Sequence, residues 1–263
     1  MVRARHRFDS GVQMIAVLSD VHANLEALRA VIKDIRQRGV QRIFFLGDII
    51  GYGPNPREVL DFIWNFEFCL MGNHDRAVLT GPPKNFNKIA QRATSWTRTQ
   101  IHPSELSFRF FRPGEYKKRK QYWEFLLSRP TYRKVGEMFF AHDNPTNPGN
   151  DHYVRKVEEA DAAFAKHPDV RAFFIGHSHV PAIYKPGERV KVDFGKKYSF
   201  DDRLIINVGS VGQPRDKDPR ACYVIVDDGF RFVRVEYDIK KTMSKIRGKP
   251  LDPMLAERLA KGT

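Results

Sequence analysis

Apolar runs alternate with segments of helical periodicity in the first part of the chain. Runs at 14–19, 43–46 and 68–71 predict three strands, because a strand covered on both faces is apolar throughout. Asn24 is a suitable N-cap for the first predicted helix, and Gly39 closes it. The apolar positions at helical spacing are Leu25, Leu28, Val31, Ile32 and Ile35, followed by Val59, Leu60 and Ile63. This alternation predicts parallel strands joined by right-handed crossovers.

Residues 77–136 break this alternation. Apolar residues at helical spacing predict one amphipathic helix over 89–101 and another around 123–127. An aromatic and basic segment, residues 108–120, lies between them. We interpret the whole region as a helical insertion over or beside the edge of the sheet, where substrate selection is often located.

The remainder of the chain turns towards strands. Runs at 137–141 and 172–175 predict two strands, and the apolar residues Val154, Val157 and Phe164 predict a helix between them. Turn signals then separate five runs that predict a second, largely antiparallel sheet. These runs are 181–184, 189–194, 204–208, 222–226 and 230–237. One or two helices are expected over 239–261.

Together these elements predict an α/β fold of four layers, in which two packed mixed β-sheets are flanked by helices. No internal repeat or linker divides the chain, so we expect a single domain over residues 14–263. Residues 1–13 are basic and are expected to form an arm rather than a signal peptide, because no apolar segment follows them. No stretch approaches the roughly 20 apolar residues that a membrane span needs.

The net charge indicates the kind of ligand that the protein favours, and the cysteine content indicates its cellular compartment. The chain has 45 basic and 31 acidic residues, a formal charge of +14, which favours anionic ligands. The densest basic run, 117–120, is typical of a solvated helix or loop. A nucleic-acid patch is the less common explanation for it, because no known reader module accompanies the run. Cys69 and Cys222 lie inside apolar runs, which indicates buried thiols and a reducing cytoplasm.

Candidate metal-binding side chains follow five of the predicted strands. An α/β sheet places its binding site at the carboxyl ends of its strands. The side chains found there are Asp20 and His22, Asp48, Asn73 with His74 and Asp75, His142, and His177 with His179. Each has an ordinary explanation when taken alone, since a histidine at a strand end is usually just hydrogen-bonded and an aspartate often caps a turn. The joint occurrence of five such segments in order favours a metal centre.

The spacing suggests how these ligands divide between two cations. Two divalent ions roughly 3.5–4 Å apart can clamp a phosphoryl group and ionise a water near neutral pH, but they need a shared carboxylate. Residues i and i+2 of an extended segment point the same way, so Asp20 and His22 can reach one ion. His177 and His179 have the same spacing and can split between the two ions. Asp48 stands alone after its strand and is the natural bridge.

The types of ligand also restrict which metal ions the site is expected to bind. A mixed set of histidines and carboxylates suits Mn, Fe, Co, Ni or Zn better than calcium, and Mg stays open as a further candidate. Asn73 can contribute an amide oxygen, and His142 completes the set. The sequence thus predicts two divalent metal ions without identifying them.

The ordered set of motifs resembles the calcineurin-like metallophosphoesterase superfamily, from residue 14 to the carboxyl terminus. Segments 20–28, 47–54 and 209–216 further resemble a bacterial and archaeal branch related to protein phosphatases and diadenosine tetraphosphatases. The resemblance implies a two-sheet sandwich, a two-metal centre, and attack on phosphorus by a hydroxide that bridges the metals.

The resemblance also implies a role for each site residue. The first metal would be held by Asp20, His22, Asp48 and His179, and the second by Asp48, Asn73, His142 and His177. His74 would be the general acid that protonates the leaving oxygen, which suits an imidazole that titrates near neutral pH. Asp75 would orient His74.

Other positions bear on the substrate. Asp143 follows His142 at a place where the branch usually has a small residue, which adds a carboxylate near the site. Asn24, Tyr52 and Arg215 lie in branch-like segments and are candidates for substrate binding. Arg215 can clamp a phosphate bidentately or can serve as a surface ion-pair partner, and the sequence favours neither reading.

The leading hypothesis is a metal-dependent phosphomonoesterase or phosphodiesterase that acts on a phosphorylated small molecule in the cytoplasm. The charge and the aromatic insertion favour a nucleotide-type substrate. The alternatives are a protein phosphatase, a nucleic-acid-binding protein or nuclease, and an inactive relative that binds partners. The complete ligand set argues against the last of these, because a binding role would not require His74 beside Asn73.

Overall fold

The computed structural model describes residues 14–103 and 112–263. The expected basic arm, residues 1–13, lies outside the described residues. So do residues 104–111, which include the beginning of the aromatic and basic segment at 108–120.

The first third of the chain alternates strands and helices as expected. Its elements are β1 (Ile15–Leu18), α1 (Leu25–Gln37), β2 (Arg42–Phe45), α2 (Pro56–Ile63), β3 (Phe68–Cys69) and α3 (Asn73–Thr80). The predicted N-cap is present, since Asn24 Oδ1 accepts a hydrogen bond from Ala27 N at 3.2 Å. β3 is shorter than the run at 68–71, because the chain turns into a helix at Asn73 that the hydrophobic pattern did not predict.

Two helices and a strand follow in the region interpreted as an insertion. They are α4 (Lys88–Ile101), α5 (Pro113–Leu127) and β4 (Tyr132–Val135), and the strand was not predicted. The basic run 117–120 lies on α5, where its three lysines are exposed. Lys118 pairs with Asp61, and Lys120 pairs with Glu124 in the same helix. The three lysines therefore lie on a solvated helix face, whereas Arg119 is buried and pairs with Glu115.

The rest of the chain supplies most of the second sheet and the terminal helices. Its elements are β5 (Met138–Ala141), α6 (Val157–Lys166), β6 (Ala172–Ile175), β7 (Ala182–Lys185), β8 (Glu188–Val190), β9 (Leu204–Asn207), β10 (Ala221–Val226), β11 (Phe230–Val235), α7 (Ile239–Arg247) and α8 (Met254–Lys261). The runs at 189–194 and 230–237 form shorter strands than predicted. None of the described helices is long and apolar enough to cross a membrane.

The first sheet has five strands in the order β11-β10-β1-β2-β3. β1 and β2 pair in parallel with Ala16 opposite Ile43, and β2 and β3 pair in parallel with Phe44 opposite Phe68. β10 pairs antiparallel to β1. This pairing of β1, β2 and β3 confirms the parallel strands predicted from the sequence. The assignment of the last two strands to the second sheet was wrong, since β10 and β11 extend the first.

The second sheet has six strands in the order β4-β5-β6-β9-β7-β8. β5, β6 and β9 are parallel, and β4, β7 and β8 are antiparallel to their neighbours. The sheet is therefore mixed rather than largely antiparallel. Both sheets are mixed and flanked by helices, which confirms the predicted fold class.

Aromatic side chains fill the space between the two sheets. The ring centre of Phe140 on β5 lies 5.2 Å from that of Phe44 and 5.4 Å from that of Phe68, both of the first sheet. Phe174 on β6 stacks on Phe140 at 5.2 Å. All four rings are buried. Because the site loops leave from the ends of these strands, this packing fixes the distance between the two halves of the site.

Replacing Phe140 by alanine is expected to reduce the free energy of unfolding by about 3–5 kcal/mol, because it removes a buried ring from between the sheets. Urea denaturation followed by tryptophan fluorescence measures this. Leu127→Ala is the control, since Leu127 on α5 is 58% exposed and its truncation should change the free energy by less than about 0.5 kcal/mol. Equal effects of the two substitutions would contradict the packing described here.

Candidate metal centre

The predicted metal ligands converge on one edge of the two packed sheets. In the first sheet, the loops after β1 and β2 carry Asp20, His22 and Asp48, and the first residue of α3, after β3, is Asn73. In the second sheet, the loops after β5 and β6 carry His142, His177 and His179. All seven side chains are buried. The site therefore lies at the junction of the two sheets and depends on both.

The ligand atoms form two groups that share one carboxylate. Asp20, His22, Asp48 and His179 form the first group, and Asp48, His142 and His177 form the second, with the atoms of each group within 4.8 Å of one another. Asn73 adjoins the second group, since its Oδ1 lies 3.0 Å from His142 Nε2. Asp48 is the only residue common to both groups among the described residues.

Short distances between ring nitrogens and carboxylate oxygens define the first group. His179 Nε2 lies 3.2 Å from Asp20 Oδ1 and 3.1 Å from His22 Nε2. His22 Nε2 lies 3.4 Å from Asp48 Oδ2. In the second group, His142 Nε2 lies 3.3 Å from the same oxygen of Asp48. One carboxylate oxygen thus faces an imidazole of each group.

The loops that carry the ligands are not extended. The prediction that Asp20 and His22 point the same way because they lie in an extended segment was therefore wrong in its reason. Asp20, His22, Asp48, His177 and His179 all have positive φ, between 48° and 65°. Such left-handed backbone costs a non-glycine residue roughly 1 kcal/mol or more. Asp20 and His22 still belong to the same ligand group, and His177 and His179 still belong to different groups. Left-handed backbone, and not an extended segment, gives these side chains their positions.

Two glycines permit the close approach of these loops. A Cβ at Gly72 would lie 2.1 Å from both the backbone nitrogen and Oδ1 of Asp48. A Cβ at Gly176 would lie 2.0 Å from Ser19 Oγ and 2.5 Å from Asp20 Oδ2. Since no heavy-atom contact can be this short, any other residue at either position would displace a predicted metal ligand.

Backbone carbonyls fix the tautomers of two histidines. His179 Nδ1 donates a hydrogen bond to Gln213 O at 2.6 Å, and His177 Nε2 donates one to Asp151 O at 3.1 Å. A carbonyl oxygen only accepts, so the opposite ring nitrogen of each neutral histidine carries the free lone pair. Metal-binding histidines in proteins are held in this way.

The donor set fits a divalent cation. Asp20 Oδ1 is buried and accepts no hydrogen bond from the described residues, although imidazole nitrogens surround it. A buried carboxylate oxygen without a hydrogen-bond donor is costly unless a cation neutralises it. Carboxylates, imidazoles and one amide oxygen are ligands suited to Mn, Fe, Co, Ni or Zn. The buried aspartates and histidines are thus able to bind metal.

The charges inside the centre support this assignment. Burial raises the pKa of Asp48, but the neighbouring histidines, His142 first, outweigh burial and hold this pKa below its usual range. Burial lowers the pKa of His177 to about 3 and that of His179 to about 4. At neutral pH the carboxylate of Asp48 is therefore ionised and the imidazoles of His177 and His179 are neutral, which are the forms that bind a cation. His142 differs, because burial lowers its pKa but the charge of Asp48 outweighs burial and raises this pKa to about 10, so His142 must lose a proton to bind a cation.

His74 lies beside the ligands without belonging to either group. Its backbone nitrogen donates to Asp48 Oδ1 at 2.8 Å, so α3 begins directly on the shared carboxylate. Its ring centre lies 4.9 Å from that of His22, 4.3 Å from that of Tyr52 and 5.0 Å from that of Phe86. Burial lowers the pKa of His74 well below its ordinary value. The ring is held at the site by packing.

The contacts of Asp75 differ from the expected ones. Its carboxylate accepts hydrogen bonds from the backbone nitrogens of Ile49, Ile50 and Gly72, at 3.1–3.2 Å. His74 Nδ1 has no hydrogen-bond partner among the described residues. Asp75 therefore positions the loop that follows Asp48 and does not orient the His74 ring directly. Burial, together with the charge of Asp48, raises the pKa of Asp75 to about 7.

Asn24 was expected to bind substrate, and its contacts correct this. Its Nδ2 donates to Gly212 O at 2.9 Å, and its Oδ1 accepts from the N-terminus of α1 and from Thr242 Oγ1. The amide is buried, and both of its polar atoms have protein partners. Asn24 consequently has a structural role, joining α1 to α7.

Tyr52 and Arg215 both lie beside the first ligand group. The Arg215 guanidinium is 5.7 Å from the centre of the Tyr52 ring, and it donates two hydrogen bonds to Gln213 Oε1. Its backbone nitrogen donates to His179 O at 3.2 Å. Arg215 is half-buried and has no carboxylate partner among the described residues. The ion-pair reading of Arg215 is therefore not supported.

The carboxylate of Asp143 does not join the metal ligands. It accepts hydrogen bonds from the backbone nitrogens of Gly149 and Asp151, at 2.7–3.0 Å, and so holds a loop closed. The carbonyl of Asp151 in that loop is the one that fixes His177. The same loop presents Tyr153, whose ring stacks on His177 at 4.1 Å. Tyr153 was missed from the sequence because it lies in a polar stretch that matches no motif.

Three comparisons relate the chain to known proteins. It matches the calcineurin-like phosphoesterase superfamily domain over residues 14–228. It is 40% identical over 256 residues to an uncharacterised protein of Methanocaldococcus jannaschii, covering 95% of this chain and 98% of that protein. A metallophosphoesterase crystal structure from Sphaerobacter thermophilus superposes with a TM-score of 0.81 at 33% identity, covering 96% of this chain and 100% of that one.

A more distant structure shares the fold. A hypothetical protein from Pyrococcus horikoshii OT3 superposes with a TM-score of 0.72 at 18% identity, and covers 95% of this chain and 98% of its own. The match extends over nearly the whole of both chains, so the two-sheet arrangement is common to both proteins.

Asp48→Asn is expected to weaken cation binding at both ligand groups together, because it removes a negative charge that the two groups share. His179→Ala is the matched control, since His179 belongs to the first group alone. Isothermal titration with Mn²⁺, combined with metal analysis after dialysis, measures the effect. Retention of two tightly held ions by Asp48→Asn would show that Asp48 does not connect the groups.

Proposed function

Because the chain belongs to the calcineurin-like phosphoesterase superfamily and is a metallophosphoesterase, we propose that it hydrolyses phosphoesters with two divalent cations, one in each ligand group. The observation that carries this proposal is the carboxylate of Asp48, which is common to both groups. A shared carboxylate is what a pair of closely spaced ions requires.

In this proposal each ligand group binds one cation. Asp20, His22, Asp48 and His179 would hold one cation, and Asp48, Asn73, His142 and His177 the other. When bound, such cations polarise the phosphoryl group and supply a hydroxide near neutral pH. The two sheets hold the ligand loops rigidly, so little reorganisation would be needed during the reaction.

His74 is the proton donor to the leaving oxygen in this proposal, and this role requires it to carry a proton that burial disfavours in the free protein. Its backbone nitrogen bonds to the shared carboxylate at 2.8 Å, and its ring packs against the Tyr52 ring. A donor fixed this close to the ligands can reach the leaving group of a bound phosphoester. Asp75 supports it indirectly, by bonding to the backbone of the loop after Asp48.

Arg215 is the first candidate to bind the phosphoryl oxygens. It lies beside His179, is half-buried, and lacks a carboxylate partner among the described residues. A guanidinium pairs with phosphate through two parallel hydrogen bonds. The aromatic rings of Tyr52, Phe86 and Tyr153 surround the same centre, and this favours a nucleotide-type substrate over a phosphoprotein.

The proposal is tested by restoring metals to stripped protein. The metal-free protein should not hydrolyse p-nitrophenyl phosphate or bis-p-nitrophenyl phosphate, and at least one of Mn, Fe, Co, Ni, Zn or Mg should restore turnover. The ratio of diester to monoester hydrolysis then assigns the substrate class. Folded protein that stays inactive with every metal would contradict the proposal.

His74→Ala is expected to lower turnover by about 10²–10⁴-fold while leaving the metal content unchanged, because it removes the proton donor and no ligand. The loss should be larger for an alkyl phosphate than for a p-nitrophenyl ester, since a poor leaving group needs the proton more. His152→Ala, which changes an exposed histidine, is the control. Loss of metal from His74→Ala would instead mean that His74 serves the ligand groups.

A further inference from the structure

One cavity beside the metal centre has an unusual charge. It has a volume of about 330 Å³, and we call it the arginine cleft because its charged lining residues are Arg155, Arg189 and Arg215. Ser178 and Tyr184 also line it. Three arginines line this space, and no carboxylate is among its lining residues.

The three arginines also lack carboxylate partners elsewhere in the described part of the chain. The Arg155 guanidinium lies 3.8 Å from the centre of the Tyr153 ring, and that of Arg189 lies 5.7 Å from the centre of the Tyr184 ring. The nearby carboxylate of Glu159 accepts hydrogen bonds from the backbone nitrogens of Arg155 and Lys156, and so caps α6 instead. The charge of the cleft is therefore open to a ligand.

The arginine cleft adjoins both ligand groups of the metal centre. Ser178, in its lining, stands between His177 and His179 in the chain. On one side, Arg215 donates its backbone N–H to His179 O. On the other side, His177 and the Arg155 guanidinium both lie against the Tyr153 ring, at 4.1 Å and 3.8 Å. Both cannot lie on the same face of the ring, so His177 and the Arg155 guanidinium occupy opposite faces. The Tyr153 ring therefore separates the guanidinium from His177 of the second group.

We propose that the arginine cleft binds a second phosphoryl group of the substrate, one that is not hydrolysed. This rests on the proposed function, since it extends the same site. Guanidinium groups match phosphate oxygens in charge and in hydrogen-bond geometry. Arg155 and Arg189 would discriminate strongly against a substrate that carries a single phosphoryl group, since Arg215, beside His179, serves the phosphoryl group that reacts. The substrate class is therefore a phosphoester with at least two phosphoryl groups, as in a nucleoside diphosphate or bisphosphate.

The test compares ligands that differ by one phosphoryl group. AMP, ADP and adenosine 3′,5′-bisphosphate are used as inhibitors of p-nitrophenyl phosphate hydrolysis by the metal-loaded protein, and their direct binding is measured by titration calorimetry. At least one of the two doubly phosphorylated ligands should bind tenfold or more tightly than AMP. In the double variant R155Q/R189Q this preference should fall about tenfold, because both charges act on the second phosphoryl group.

The control is the charge-matched double variant K33Q/K240Q. Lys33 and Lys240 are exposed on α1 and α7 and do not line the cleft. Equal binding of all three ligands, or an unchanged preference in R155Q/R189Q, would overturn the proposal. A preference lost equally in both double variants would also overturn it, because net charge would then be the cause. If no metal restores turnover, calorimetry still measures the preference of the cleft for the doubly phosphorylated ligands. Failure of the proposed function can therefore be distinguished from failure of this proposal.

Discussion

The rest of the site depends on the buried carboxylate of Asp48. It is 1% exposed, and it contacts an imidazole from each ligand group as well as the first turn of α3. Removing a carboxylate from water costs several kcal/mol unless positive charge and hydrogen bonds offset the loss. The surrounding histidines and the N-terminus of α3 provide part of this compensation, and divalent cations would provide the rest.

The local backbone is shaped to satisfy this one group. Position 72 has no room for a side chain, because Asp48 occupies the space where a Cβ would lie. Asp75 uses its whole carboxylate to hold the loop that follows Asp48. Five predicted ligands adopt left-handed backbone at a cost that only a rigid surrounding can sustain. The aromatic packing between the two sheets supplies that rigidity.

Arg155 and Arg215, which are proposed to bind substrate, lie on loops outside the two sheets. The loop closed by Asp143 brings Tyr153 and Arg155 to one flank of the metal centre, and the segment after β9 brings Arg215 to the other. Arg155 and Arg215, together with Arg189, line a single cleft that has no carboxylate in its lining. A phosphorylated substrate would therefore meet positive charge in this cleft, beside the metal ligands.

The sequence predicted the candidate ligand set and much of the fold. Asp20, Asp48 and His142 each follow an apolar run, and local pattern alone predicts that strand ends of an α/β sheet meet at one edge. The three-dimensional structure was needed to show that β10 and β11 join the first sheet, that Asn24 and Asp75 bond to backbone, and that Arg155 lines a cavity with Arg215. Strand neighbours and side-chain partners are set by contacts between residues far apart in the chain, and hydrophobic periodicity carries no information about those contacts.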